Sequence, residues 1–525
     1  MTASSRRLLP LLLSLSLSGL SGCALFHNHD KKTEGMLDAE AKLPAQWQAP
    51  LPHDGKVADL NRWWEQFDDP LLSELIASAE AVSPSIAAAR SRLYSARASS
   101  VGAFASLLPK LDANLSGSRG QQDIRFPAGT ATSAGLAANW EIDLFGGNSA
   151  NSDAASARYT GAQADWHAAR VSLAADIATS YVGFRACEAQ LRQRTLDTGS
   201  RRRTESLTRI NAEAGLESPA NAALARASAA QGNNLLTQQS TQCELYIKEL
   251  VALTAIDEPR LRQRLEMGNQ RIPQPAAIVV REVPAEALAQ RPDVYSAGLA
   301  VMAASADVTY LQAQRLPRIS LAGNISHSRF SSDTAMIEGR VWTLGPLTVS
   351  LPIFDAGTRR ANVDTGKARY DEAVIVYAAK LRGAVREVEE ALVTLNSTNL
   401  RAADAATAVA GYTVSYKATQ TRQEYGLASL FELEDARRSL STARMALIEL
   451  QRDRVNAWVS LYRALGGGWT LQDQLAAADT MPEMTKPGVT PLTQPAAPPV
   501  AAQSTASVAE DHPIATNPIE PENQP

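Results

Sequence analysis

An internal duplication spans residues 71–468, and it constrains the fold more than any other feature of the sequence. Leu108-Pro109 recurs as Leu316-Pro317 after 208 positions. Further matches keep the same order at offsets of 208 to 211: Pro84 with Pro292, Phe145 with Phe354, Gly215-Leu216 with Gly426-Leu427, Ser218 with Ser429, and Ala225-Arg226 with Ala436-Arg437. A repeat at so constant an offset predicts two copies of one structural plan.

Each repeat has the order short helix, strand, strand, very long helix, short helix. Strands are expected where apolar and polar residues alternate, and helices where the apolar period is 3.6. The first repeat, residues 63–285, is predicted to hold a short helix at 71–107, strands 111–120 and 134–145 and helices 147–211 and 219–254. The second repeat, residues 286–470, is predicted to hold strands 319–328 and 341–354 and helices 356–424 and 429–465.

The two long helices set the dimensions of the molecule. Residues 147–211 form a proline-free run of 65 residues, which corresponds to about 97 Å at 1.5 Å per residue. Apolar residues at spacings of three and four within the helices indicate coiled-coil packing: Leu381, Val385, Val388, Leu392 and Leu395 in one, and Leu433, Ala436, Leu440, Ala443, Leu447 and Leu450 in another. Side-by-side packing of long helices is therefore expected.

The N-terminus has the pattern of a secretion signal. Arg6 and Arg7 precede an apolar run at residues 8–20, which is shorter than the ~20 residues that span a bilayer. We assign residues 1–22 to a signal peptide. No later stretch reaches about 18 uninterrupted apolar residues, so any membrane-spanning part is expected to consist of strands.

Four strands per chain cannot close a barrel, and an open sheet in lipid leaves its edge amides unsatisfied. Three copies supply twelve strands, an even number within the range of bacterial barrels. The predicted fold class is an α+β membrane protein: a trimeric twelve-stranded transmembrane β-barrel continued by a long periplasmic α-helical barrel. Trp140 and Trp342 are expected to lie at the membrane interfaces.

Composition and motifs argue against several other classes of function. The formal net charge of −4 offers no basic surface for nucleic acid. The six histidines, at positions 27, 29, 53, 167, 327 and 512, show no metal-ligand spacing. No phosphate-binding loop or nucleophile motif is present. We therefore predict neither an enzyme nor a resident metal.

Four motifs resemble signatures of the TolC-like outer-membrane factor family, in its lipoprotein (OprM-like, NodT) efflux branch. They are WEIDLFG at 140–146, LPRI at 316–319, LPIFDAG at 351–357 and LYRALGGGW at 461–469. The resemblance covers about residues 60–469. It implies a homotrimeric passive duct for small toxic molecules, with drugs as the first cargo and metals as the second, that works with a periplasmic membrane-fusion adaptor and an inner-membrane transporter of the RND type.

Residues 20–23 (LSGC) resemble the bacterial lipobox. This resemblance implies a mature N-terminus at Cys23 that carries diacylglyceryl and N-acyl chains, and Ala24 after it favours the outer membrane. We assign residues 23–62 to a lipidated N-terminal arm. Residues 471–525 contain ten prolines and no periodic apolar face, which predicts a disordered tail.

Glycines at the turns between long and short helices are expected to mark the hairpin tips farthest from the strands. These tips are Gly215-Leu216 and Gly426-Leu427, and they are the expected adaptor contacts. Glu432 and Asp435, three residues apart, resemble the family's acidic periplasmic gate, whereas a solvated helix face is the alternative reading. The gate-forming relative with the best-known latch has an arginine where Ala428 stands and an aspartate where Asn221 stands, so the latch is undetermined.

Two further cysteines are placed to pair. Cys187 lies 28 residues before Gly215, and Cys243 lies 27 residues after Leu216, so an antiparallel hairpin brings them to the same height. A disulfide is expected in the oxidising periplasm; two buried thiols are the alternative.

Two other functions stay open at this point. One is a structural coiled-coil lipoprotein that bridges envelope layers without conducting. The other is an exit duct for protein secretion.

Overall fold

The structure is a computed structural model that describes residues 34–44, 47–49, 64, 67–121, 128–268, 271–274, 288, 291–333 and 336–469. The predicted signal peptide, Cys23, most of the N-terminal arm and the C-terminal tail lie outside the described residues.

The elements follow one another as the duplication predicts. The helices are α1 Glu34–Glu40, α2 Pro70–Val82, α3 Pro84–Ala105, α4 Gly147–Glu213, α5 Pro219–Thr254, α6 Glu258–Met267, α7 Pro292–Ala313, α8 Thr358–Glu424 and α9 Leu430–Ala464. The strands are β1 Lys110–Gly120, β2 Gly129–Ile142, β3 Arg318–Ser332 and β4 Met336–Ser350. Each repeat contributes two strands and one helix of 67 residues, which is about 100 Å long.

The four strands form one antiparallel sheet in the order β1-β2-β3-β4. Strands β2 and β3 therefore join the two repeats, while β1 and β4 are the free edges. The strand bounds differ from the sequence prediction. Strand β2 begins at Gly129, five residues early, because small residues such as Thr130 and Ala131 pair with both neighbouring strands although they show no apolar alternation.

Strand β4 also differs from its predicted range of 341–354. It runs from Met336 to Ser350 with a bulge in which Gly345 and Pro346 together lie opposite the single residue Ala322, so the ladder is interrupted without ending the strand. The strand ends before Pro352, which has no N–H to donate to a ladder.

An aspartate caps the start of each long helix. The Asp143 carboxylate accepts the backbone N–H groups of Asn148 and Ser149 at 3.0 and 2.7 Å. In the second repeat, Asp355 accepts the N–H groups of Gly357 and Arg359 at 3.0 and 3.1 Å. These contacts satisfy N–H groups that have no partner inside a helix, and they give a physical reason for the aspartate in the motifs at 140–146 and 351–357.

The first short helix is broken, which the predicted continuous helix at 71–107 did not anticipate. Helices α2 and α3 meet at Ser83 with a bend of 50°. Pro84 occupies the first turn of α3, where its missing N–H costs nothing, and the Ser83 hydroxyl accepts the N–H of Ile86.

The main hydrophobic core lies midway along the long helices. It joins residues 173–186 of α4 with the seam of α8 and the end of α9, and Tyr181, Val388 and Trp458 are almost fully buried within it. Of the predicted seam residues of α8, Leu381, Val388, Leu392 and Leu395 are buried and Val385 is half-buried. In the predicted seam of α9, Leu440 and Leu450 are buried and the other four residues are half-buried.

Buried Arg291, just before α7, ties three elements together at this level. It binds Asp293 and Glu387 at 2.8 Å and the carbonyl of Ala464 at 2.9 Å.

Among the described residues, one helix is long and apolar enough by composition to cross a membrane. This helix is α7, and the bent pair α2–α3 meets the same criterion when counted as a single span. Helix α7 packs against both long helices, α4 and α8.

Candidate functional site at the hairpin tips

The first hairpin turns through a Schellman motif at the end of α4. Gly215 has φ of +70°, and the N–H groups of Gly215 and Leu216 reach back to the carbonyls of Ala212 and Asn211 at 3.1 and 2.8 Å. This pattern satisfies carbonyls at the end of the helix and favours glycine, which has no Cβ to clash in the left-handed region. The chain reverses directly into α5.

The second hairpin repeats this geometry. Gly426 has φ of +71°, and Leu427 donates its N–H to the Arg422 carbonyl at 2.7 Å. The Arg422 guanidinium donates in turn to the Leu427 carbonyl at 3.0 Å. The two tips predicted from the sequence therefore have matching backbone structures.

Both tips expose apolar side chains. Leu216 is 79% exposed, and Leu427 and Tyr425 are 69% and 78% exposed. Water-exposed leucines at the ends of two neighbouring hairpins are typical of surfaces that contact another protein.

Asn221 has a structural role in the first tip. Its side-chain amide donates to Glu217 at 2.7 Å, and the Ser218 N–H donates to the same carboxylate at 3.0 Å. The hydrogen bond from Asn221, together with that from Ser218, lowers the pKa of Glu217. The pair stabilises the first turn of α5.

The predicted gate residues lie on the exposed face of α9, and Glu432 has a further role that was not predicted. It completes a capping box: its carboxylate accepts the Ser429 N–H at 2.9 Å, and the Ser429 hydroxyl accepts the Glu432 N–H at 3.2 Å. Within the part of the chain that the structure describes, Asp435 makes no hydrogen bond or ion pair, so its carboxylate is free to face a pore.

The opposite face of α9 carries a buried polar network that the sequence analysis missed. Glu434 and Arg437 bind each other and reach α4, where Thr204 donates to Glu434 and Asp197 lies 3.4 Å from Arg437. On α4, Asp197 accepts from Arg201 at 2.7 Å. The network fastens the second hairpin to the first close to the tips. Its signal in the sequence is an opposite-charge pair at i, i+3, in which each residue directly follows a residue of the predicted apolar seam.

The network continues to α5. Arg201 donates to the Ser228 hydroxyl at 3.0 Å, and Thr198 donates to the Gly232 carbonyl at 3.0 Å. A cavity of about 260 Å³ adjoins it between the three helices. Among the described residues, Nε and Nη1 of Arg437 have no hydrogen-bond partner, so the charge is held by fewer contacts than a buried arginine can make.

Cys187 and Cys243 form a disulfide between α4 and α5. Both side chains are buried, at 2% and 6% exposure. The structure therefore has the predicted pairing, and it joins the two arms of the first hairpin between the central core and the tip.

The concave face of the sheet lies at the opposite end of the long helices from the hairpin tips. Serines such as Ser116, Ser133 and Ser328 line it together with apolar residues such as Phe330 and Val341, around a hollow of about 680 Å³. Such a face suits the water-filled lumen of a barrel. Within the described ranges, no group of three or more His, Cys, Asp or Glu side chains is placed to hold a metal ion.

Comparison with known proteins agrees with this geometry. The profile of the family described as "Outer membrane efflux protein" matches residues 75–255 and 283–467, one stretch in each repeat. A pyoverdine export outer membrane protein, OpmQ of Pseudomonas putida, is 29% identical over 440 residues, covering 81% of this chain and 92% of that protein. The solvent efflux pump outer membrane protein SrpC of Pseudomonas putida is 28% identical, covering 86% of this chain and 97% of that protein.

A solved structure has the same fold. The CmeC outer membrane channel of Campylobacter jejuni superposes with a TM-score of 0.72 at 24% identity, covering 81% of this chain and 92% of that one. The predicted fold class, one protomer of a trimeric outer-membrane channel with a small sheet and a long helical part, is confirmed. The predicted efflux function is confirmed as well. The chain belongs to the outer membrane efflux protein family, and it is an outer-membrane exit channel for efflux rather than an enzyme.

Proposed function

We propose that this channel is the passive exit duct of a tripartite pump. A periplasmic membrane-fusion adaptor docks on the hairpin tips, and an inner-membrane transporter of the RND type supplies the energy. The observation that carries the proposal is the exposure of Leu216 and Leu427 at the ends of helices about 100 Å long. Apolar tips so far from the sheet need a protein partner inside the periplasm.

The proposed cargo is a broad class of small toxic molecules, drugs first and metal ions second. Two related proteins carry the names of chemically unlike compounds, pyoverdine in one case and solvents in the other. Similar channels with unlike cargo support a duct that recognises little of what passes, so that the transporter makes the selection.

We place the periplasmic gate at Glu432 and Asp435. Threefold symmetry makes a ring of each carboxylate, and rings of like charge in a constriction repel one another and favour cations. Support comes from the exposure of both residues on one face of α9 and from the free carboxylate of Asp435.

The lipid anchor on Cys23 is part of the same proposal. Diacylglyceryl and N-acyl chains there hold the N-terminus in the outer membrane, with about 0.8 kcal/mol for each buried CH₂ group. The support is the lipobox at residues 20–23. Cys23→Ser is expected to abolish labelling by radioactive palmitate; a variant that stays labelled contradicts lipidation at this residue.

Site-specific photo-cross-linking in living cells tests the adaptor contact. A photoreactive residue at Leu216 or Leu427 is expected to capture an adaptor, identified by mass spectrometry. Leu400 is the matched control, because it is 70% exposed but lies midway along α8. Adaptor captured equally at Leu400, or at no position, contradicts tip-to-tip docking.

Electrical recording separates a duct from a structural lipoprotein. The purified full-length trimer in a planar bilayer is expected to give discrete single-channel currents, whereas a bridging lipoprotein gives none. Deletion of the gene is expected to raise susceptibility to small organic toxins. Unchanged susceptibility together with loss of a secreted protein identifies the duct as a protein exporter.

A further inference from the structure

The two faces of the sheet differ in exposure, which identifies the outer face. On β3, Ile325 and Arg329 are exposed, whereas Ser326 and Ser328 between them are half-buried. Strand β2 shows the same alternation, with Leu136 exposed. The exposed set is convex, so it becomes the lipid-facing side when the barrel closes.

The outer face begins as an apolar band next to the helices. Strand pairing aligns its residues into rows. The last apolar row contains Leu136, Ile325 and Trp342, and the rows nearer the helices include Leu111, Leu321 and Val349. A band of this kind is what hydrocarbon requires.

Beyond the band, the same face becomes basic. His327 pairs directly with Arg340, and Arg329 pairs with Glu338. These rows begin two residues past Ile325 and Trp342, a rise of about 7 Å along the strand. Arg119 belongs to the outer face of β1 at the same end of the sheet. We call His327, Arg329, Arg340 and Arg119 the basic rim.

The other face of the same region carries no charge. In the half of each strand that is farther from the helices, the described residues of the concave face are Ser, Thr, Asn, Gly, Ala, Ile, Val and Phe only. A water-filled lumen solvates charges at little cost, yet all charges of this half of the sheet lie on the lipid side. The asymmetry indicates that a partner outside the barrel interacts with them.

The rim is not neutralised by its own residues. Glu338 lies 3.9 Å from Arg329, a long and exposed contact of little energy. Arg340 and Arg119 have no ion-pair partner among the described residues. An external anion supplies the counter-charge that these two arginines lack.

We propose that the basic rim binds the phosphorylated headgroups of lipids in the outer leaflet. Arginine guanidinium groups bind phosphate oxygens in bidentate fashion. The rim continues the apolar band on its lipid side, so a lipid whose acyl chains lie against Leu136 and Ile325 has its headgroup at the height of Arg329 and Arg340. Two edge strands meet when the barrel closes, and Arg119 of one copy then joins the rim beside β4 of the next.

A lipid rather than a soluble anion is indicated by this continuity. A soluble polyanion interacts with charge alone and gains nothing from the apolar rows below the rim. A phospholipid or phosphoglycolipid uses both surfaces together, so its affinity exceeds that of its phosphate group in solution.

Lipid binding to the full-length trimer tests the proposal. The trimer is placed in phosphatidylethanolamine nanodiscs that contain either bisphosphorylated lipid A or dephosphorylated lipid A, and bound lipid is counted by native mass spectrometry. We expect the phosphorylated form to bind at least tenfold better to the native protein. We also expect the double variant Arg329→Gln/Arg340→Gln to lose at least tenfold of this binding.

Lys110→Gln/Arg318→Gln is the matched control, because it removes the same charge from the opposite face and the opposite end of the strands. Equal binding of the two lipid A forms, equal loss in both double variants, or inorganic pyrophosphate that competes as well as lipid A overturns the proposal. Single-channel conductance of Arg329→Gln/Arg340→Gln is expected to stay at the native value, because both residues belong to the face opposite the lumen. If the native channel conducts normally but does not prefer phosphorylated lipid A, the proposed lipid binding is wrong while the proposed duct function stands.

Discussion

Arg437 on α9 and Asp197 on α4 lie 3.4 Å apart in the buried network that fastens the two hairpins together. Arg437→Met leaves the carboxylates of Asp197 and Glu434 buried without this cation, and breaking a buried pair costs about 3–5 kcal/mol. We therefore expect the tips to separate more readily. Single-channel recording is expected to show shorter closed periods.

Arg438→Met is the control for that variant, because Arg438 is the exposed neighbour of Arg437. Closed periods that shorten equally in both variants would assign the effect to net charge and not to the network.

The disulfide between Cys187 and Cys243 is expected to stabilise the first hairpin. It closes a loop with a sequence separation of 56, which corresponds to about 4 kcal/mol by chain entropy. Cys187→Ser/Cys243→Ser is expected to lower the temperature at which the trimer dissociates. Peptide mapping without reductant is expected to find the two cysteines linked, and full alkylation by iodoacetamide without reductant would refute the bond.

Substitution by alanine is expected to have opposite effects at two glycines, Gly426 in the second tip and Gly411 within α8. Gly426→Ala places a Cβ at φ of +71°, which costs about 1–2 kcal/mol and is expected to speed amide hydrogen exchange in the second tip. Gly411→Ala lies inside the helix with open space around its Cβ, and it is expected to stabilise α8 by about 0.5–1 kcal/mol. Equal exchange in the two variants contradicts the role of the left-handed turn.

Asp293 is expected to make the central region sensitive to acid. Burial alone would raise its pKa, but the hydrogen bond and charge of Arg291 outweigh burial, and the net effect lowers the pKa of Asp293. A lowered folded-state pKa contributes stability above the unfolded-state pKa of about 3.9, and this stability is lost as the pH falls through the folded value. Melting temperatures from pH 7 to pH 3 are expected to fall less in Asp293→Asn than in the native protein.

Asp404→Asn serves as the control for Asp293→Asn, since Asp404 is exposed on α8. Its melting curve is expected to keep the native pH dependence. If Asp293→Asn keeps it as well, the contact with Arg291 adds no acid-labile stability.

The sequence was most informative where a contact is local. Helix α5 has the predicted bounds of 219 and 254, because Ser218 caps it and Pro219 fits only the first turn. The two tips were predicted from Gly215 and Gly426, because a turn in the left-handed conformation favours glycine. The height match of Cys187 and Cys243 followed from counting residues along two antiparallel helices.

The sequence did not predict structural features that depend on contacts between distant parts of the chain. The start of β2 at Gly129 depends on ladder partners in β1 and β3 that no local alternation reveals. Glu432 was predicted from its type and spacing as a gate residue, and the structure adds the capping role through Ser429. The network of Glu434 and Arg437 was missed because charged residues beside a coiled-coil seam are expected to be exposed to solvent.

The sequence by itself determined the duplication, the two rods, the turns between helices and the number of strands, since periodicity, capping residues and glycine act over a few neighbouring positions. Only the tertiary structure decided which face of each element meets which partner. It buried Arg437 against Asp197 and turned Arg329 and Arg340 to the outside of the sheet. Such choices depend on residues more than a hundred positions apart, whose proximity arises only when the chain has folded.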